Sequence, residues 1–142
     1  MFELWFWRRE KIDYAQLSKE GQVKRISKFT SAIWQVHPFI EGNTRTTALF
    51  LIKYLKKLGF KLNEDIFIEN SLYFRNTLVI SNFFDITLGI FPDFKYLHSF
   101  FSKLLINKTQ ELINLEEFKE KINKKINDWE NEINNKDKQW ER

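Results

Sequence analysis

The sequence predicts an all-α protein on three observations. Glycine and proline are scarce, four and two in 142 residues, which leaves too little turn chemistry for a many-stranded fold. Apolar residues recur at intervals of three and four along most of the chain. Aromatic residues make up 17% of the composition, with fifteen Phe and five Trp, so a chain of this length can bury a real core between helices.

The first long helix is predicted in "LSKEGQVKRISKFTSAIWQV", where Ile26, Phe29 and Ile33 share a face and Ser18 can serve as N-cap. It ends at "VHP", because Pro38 pushes His37 away from right-handed helical geometry. A tight loop, "PFIEGN", follows. The second helix runs from about residue 44 to about residue 58. Its stripe is Leu51, Tyr54, Leu55 and Leu58, widened by Leu49, Phe50 and Ile52, so most of it is expected to be buried. Gly59 stands where a left-handed residue closes a helix.

"NEDIFIENSLYFRNTLVISNFF" reads as one or two helices, and "PDFKYLHSFFSKLLIN" as another, with Leu97, Phe101 and Leu104 in register. From Asn107 the composition shifts to Lys, Glu and Asn. Phe118, Ile122, Ile126, Trp129 and Ile133 then form the narrow stripe of an extended amphipathic helix. The expected organisation is a core over residues 1–106 and a charged helical tail over 107–142.

Several function classes recede on composition. With no cysteine there is no disulfide framework and no thiol chemistry, which fits a reducing compartment. "MFELWFWRREK" lacks the basic start and cleavage site of a secretory signal, and no stretch is long and uncharged enough to span a membrane. The expectation is a cytoplasmic protein with no membrane partner. Net charge is only +4, and the tail is balanced, with 8 basic and 9 acidic side chains from Asn107 on. A nucleic-acid arm is therefore not expected.

The chemistry concentrates in "HPFIEGNTR", residues 37–45. A loop ending in Gly-Asn and leading into a helix offers backbone N–H groups at the positive end of the helix dipole, a ready anion site. Gly42 lets the backbone approach a phosphate closely, Asn43 can donate from its amide, and Arg45 brings a guanidinium fork. An acid beside an anion site makes sense if Mg²⁺ bridges Glu41 to the phosphates, since magnesium commonly takes one carboxylate plus phosphate oxygens. His37 precedes the loop and can accept a proton from an incoming hydroxyl. Base, metal ligand and phosphate cradle together describe phosphoryl or nucleotidyl transfer.

These residues resemble the Fic motif, H-x-F-x-D/E-G-N-G-R-x-x-R. His37, Phe39, Glu41, Gly42, Asn43 and Arg45 match it, and Pro38 is frequent at the second position. Thr44 stands where the motif has Gly, and Ala48 where it has the second Arg. "FTSAIWQVHPF" and "YFRNTLVISN" are also similar to the flanking helices of one bacterial Fic subgroup, so the resemblance spans roughly residues 12–106.

The resemblance implies a Fic-type helical bundle that transfers AMP from Mg-ATP to a Ser, Thr or Tyr hydroxyl of a target protein. His37 would be the base and Glu41 the Mg²⁺ ligand. Gly42, Asn43 and the Thr44 amide would hold the α- and β-phosphates, Arg45 the β-phosphate, and Phe39 would anchor the loop. A nucleotide, a target protein and a separate antitoxin-like regulator are the implied partners. Thr44 is expected either to crowd the nucleotide or to demand a different φ, and Ala48 to weaken the grip on a γ-phosphate. Two other outcomes remain open: a weak or inactive Fic-like binding module, and an enzyme that transfers another nucleotide or a phosphate.

The family's inhibitory helix, S/T-x-x-x-E-G/N, is not found, and Ala48 removes its usual partner. "MFELWFWRREKIDYAQ" makes a poor β-hairpin, so the target-binding flap is expected to be missing and Trp5 and Trp7 to be partly exposed. Tyr73, Phe74, Arg75 and Asn76 fit two readings equally: a group facing the nucleotide, or a core aromatic pair with a solvated Arg and a packing Asn. His98 is expected to be structural, with no charged companion nearby.

Overall fold

The computed structural model describes residues 13–37 and 41–140, with Trp140 described in its backbone alone. A short 3₁₀ turn, Tyr14–Gln16, leads in, capped by Asp13, whose carboxylate accepts from the Ala15 N–H at 3.0 Å. Six α-helices follow among the described residues: α1 (Lys19–Val36), α2 (Asn43–Lys57), α3 (Asp65–Glu69), α4 (Ser71–Asn82), α5 (Lys95–Leu105) and α6 (Glu116–Trp140). Between α4 and α5, one antiparallel bridge pairs Asp85 with Ile90. The all-α expectation holds.

Local signals act where the sequence places them. Ser18 caps α1, its hydroxyl accepting from the Gly21 N–H at 3.1 Å. Helix α2 starts and stops one residue earlier than the pattern suggested. Gly59 (φ 92°) ends it in a Schellman arrangement: the Phe60 N–H donates to the Leu55 carbonyl and the Gly59 N–H to the Lys56 carbonyl, both at 3.0 Å.

Helix α1 is the hub. It packs against α2, α4 and α5, and α4 packs against α5. Its buried stripe of Val23, Ile26 and Phe29 meets Leu51, Tyr54 and Leu55 of α2. The Phe29 ring lies 4.9 Å from Tyr54 and 6.3 Å from Phe50. Burying one such side chain contributes about 1.5–3 kcal/mol, so these rings do much to hold α2 on α1. Ser27 and Thr30 return their hydroxyls to carbonyls of their own helix, each at 2.7 Å, which satisfies them inside the core. A second aromatic cluster joins α3, α4 and α5, with Phe74 4.8 Å from Phe100 and 5.3 Å from Phe67.

The stretch after α5 is tied to the body. The Tyr73 hydroxyl donates to the Ile113 carbonyl at 2.8 Å, and the Ile113 N–H donates to Ser99 Oγ at 3.0 Å. Phe118 of α6 packs edge-on against Tyr96, and Lys125 Nζ reaches the carbonyls of Leu88 and Gly89. Residues 127–139 of α6 are all exposed, so Trp129 and Ile133 continue the predicted stripe past the body.

Candidate functional site

The site is built where α1 ends and α2 begins. His37 caps the C-terminus of α1 with φ 45° and ψ 58°, and is the one described non-glycine residue with positive φ. It leaves right-handed geometry as Pro38 requires, but into the left-handed region, with its N–H donating to the Trp34 carbonyl at 3.2 Å. Histidine tolerates this conformation better than most side chains. Its ring lies 4.5 Å from that of Trp34, at 71°.

Gly42 is the N-cap of α2 at φ 77°, a value L side chains rarely adopt. Its carbonyl accepts the first helical bond, from the Thr46 N–H at 2.9 Å. Being glycine, it offers no side-chain cap to the first turn of α2. Thr44 is an ordinary helical residue, so the expectation of an altered φ is not met. Its hydroxyl accepts from Trp34 Nε1 at 3.0 Å.

One cleft of about 840 Å³ is lined by His37, Glu41, Gly42, Asn43, Thr44 and Arg45, the six predicted site residues, and by Ala48. Its volume is in the range of small-molecule sites. Across from α2, the short α3 and the start of α4 supply Phe67, Ile68, Leu72 and Arg75. Leu49, Ile68 and Leu72 are 56%, 74% and 66% exposed, so apolar surface meets the polar loop in one hollow. Only Thr47, Leu51, Tyr54 and Leu55 of α2 are buried, so the expectation of a mostly buried helix is not met. Among the described residues, Glu41, Arg45 and Arg75 form no salt bridge, and all three charges stand available to a ligand.

The described residues contain no group of three or more metal-ligating side chains. The cleft is lined by two carboxylates, Glu41 beside the start of α2 and Glu64, which is paired with Lys56, so Glu41 is the one without a salt bridge among the described residues. That donor set suits Mg²⁺ carried with phosphates and water, and does not suit a metal caged by protein ligands.

The remaining predicted residues separate. Arg75 lines the cleft, whereas Tyr73 turns toward Ile113, where burial pushes its phenol pKa up despite the Ser99 hydrogen bond. Phe74 lies in the core at 1% exposure and only backs the cleft, and Asn76 does not line it. His98 is away from the cleft, its Nε2 buried without a hydrogen-bond partner among the described residues. The expectation that it lacks charged companions is corrected. Burial lowers its pKa, Lys24 and Lys28 lower it further, and Asp93 opposes them. Phe39, Trp5 and Trp7 lie outside the described residues. Sequence reasoning missed Trp34, whose signal was an indole three residues before the histidine. It also missed the aliphatic wall, which carried no signal distinct from core.

Residues 2–55 match the family model of the Fic/DOC family. The matched stretch includes α1, the loop and most of α2, and with them each predicted site residue; "YFRNTLVISN" lies beyond it. Comparison with curated proteins and with solved structures finds no match. No described helix is long and apolar enough to cross a membrane. The part of this chain that builds the loop and the polar side of its cleft, residues 2–55, is thus similar to the Fic/DOC family.

Proposed function

We propose that the chain is a protein adenylyltransferase, moving AMP from ATP to a hydroxyl side chain of a target protein. One observation carries the reading: an imidazole, a carboxylate, a helix N-terminus and a guanidinium share a single cleft of nucleotide size. The first-turn amides of α2 and Arg45 bind the phosphates, with Arg75 a second cation from the far wall. The apolar surface of Leu49, Ile68 and Leu72 takes the base. Bound Mg²⁺, held through Glu41, would neutralise charge on the phosphates. His37 removes the proton of the target hydroxyl as its oxygen bonds to the α-phosphorus. The bond from that phosphorus to the bridging oxygen breaks, and pyrophosphate leaves with the electron pair. The family match also supports a separate antitoxin-like protein as regulator of this site.

ATP labelled on the α- or the γ-phosphate tests the reading. Protein-bound label from α-labelled ATP alone is the expected result. Label from the γ position points to phosphate transfer. Absence of both, with nucleotide still bound, points to a binding module, which the small Ala48 side chain in the cleft favours as the second reading.

A further inference from the structure

His37 is exposed, on the last turn of α1, while the phosphate cradle belongs to α2. A base and a cradle on different helices must be held in one geometry, because small misplacements cost transfer steeply. Trp34, on α1 like the base, makes one contact with His37 and one across the junction to α2. Its ring meets the His37 imidazole edge-to-face at 4.5 Å, and its Nε1–H donates to Thr44 Oγ1 at 3.0 Å. Its carbonyl also accepts the N–H of His37, whose left-handed backbone turns the ring back over α1. A half-buried indole has only two side-chain torsions, so a bond at its tip fixes the whole ring.

We propose that Trp34 is a positioning residue and Thr44 its anchor, so that the base and the first turn of α2 are locked together as one body. Its catalytic consequence rests on the adenylyltransferase reading; the lock itself does not. It gives Thr44, one of the two departures from the motif, a physical purpose. The hydroxyl is the acceptor that the indole N–H requires, and glycine at that position has none.

The test compares Thr44→Val, which keeps the shape and removes the acceptor, with Thr44→Ser, which keeps the acceptor. The chain has only two histidines, so the ring protons of His37 are readily separated from those of His98 by NMR. In the wild type and Thr44→Ser they should be displaced from free-imidazole positions by the Trp34 ring. In Thr44→Val and Trp34→Leu they should collapse toward those positions, and in Thr44→Val the Trp34 indole N–H should lose exchange protection. In transfer assays Thr44→Val should lower kcat by about tenfold or more with the ATP KM within about twofold, and Thr44→Ser should restore it. Thr44 is only half-buried, so Thr44→Val folds, and its comparison with Thr44→Ser decides the matter even if Trp34→Leu does not fold. Unchanged His37 signals in Thr44→Val overturn the lock. Unchanged kcat, or kcat and KM altered together, overturns its role in positioning. If the wild type transfers nothing from ATP, the adenylyltransferase reading falls, and the NMR arm still decides the lock.

Discussion

Ala48→Arg asks whether the cleft is shaped for a triphosphate. Ala48 lies one turn beyond Arg45 on α2, lines the same cleft and is half-buried against the core. An arginine there would lay its stem along the wall and carry its guanidinium into the cleft. A charge-assisted hydrogen bond to a phosphate contributes about 1.5–3 kcal/mol. Fixing the long side chain, whose stem already rests on the wall, costs about 1–1.5 kcal/mol, which leaves a net gain of roughly 1 kcal/mol. ATP affinity should then rise about two- to tenfold. Without nucleotide, a new cation three residues from Arg45 and across from Arg75 adds a few tenths of a kcal/mol of repulsion, and Tm should fall by about 1–2 °C. Calorimetric titration with ATP, ADP and AMP, and a thermal scan of the free protein, check both signs. The gain should be largest for ATP and absent for AMP. Unchanged or weaker ATP binding, or an equal gain for AMP, would refute the placement of the phosphate chain along α2.

Three further outcomes are expected. His37→Ala should abolish transfer and leave ATP affinity within about twofold, because the cradle does not use the imidazole; a parallel loss of binding in titration would make the histidine structural. Phe29→Ala removes a ring at 0% exposure that pins α2 to α1, and should cost about 3–5 kcal/mol, or about 10–15 °C in Tm by calorimetry; a loss below about 1 kcal/mol would contradict the packing described. His98 supplies a pH dependence: burial lowers its folded-state pKa, so the unfolded chain takes up the proton first, and its contribution is complete above about pH 6.5 and lost as pH falls below it. His98→Leu should therefore flatten the fall in Tm between about pH 7.5 and about pH 5.5, and an unchanged fall would show that the imidazole is not desolvated in the native state.

Much of this protein was determined within short windows of its sequence. Caps and periodicity act over three or four residues, so Ser18, the Gly59 terminus and the buried stripes of α1, α2 and α5 could be read directly. The polar half of the site was legible for the same reason, since His37, Glu41, Gly42, Asn43, Thr44 and Arg45 fall on one loop and the helix turn after it. What the helices do to one another was not legible. Leu49, Ile68 and Leu72 carry the same apolar signal as Leu51 and Leu55, and only the packing of α3 and α4 across from α2 makes them a cleft wall and leaves them exposed. Arg75 and Tyr73, two residues apart, part company because one side of α4 faces that cleft while the other is hydrogen-bonded by the segment after α5. His98 meets Lys24 and Lys28 only because α1 lies against α5. The bond from Trp34 to Thr44 depends on the angle at which α1 and α2 meet, and that angle is decided by rings such as Phe29 and Tyr54 deep in the core. Local sequence specifies which groups a helix carries. The direction each group faces follows from side chains packed at long range, where no short-range rule reaches.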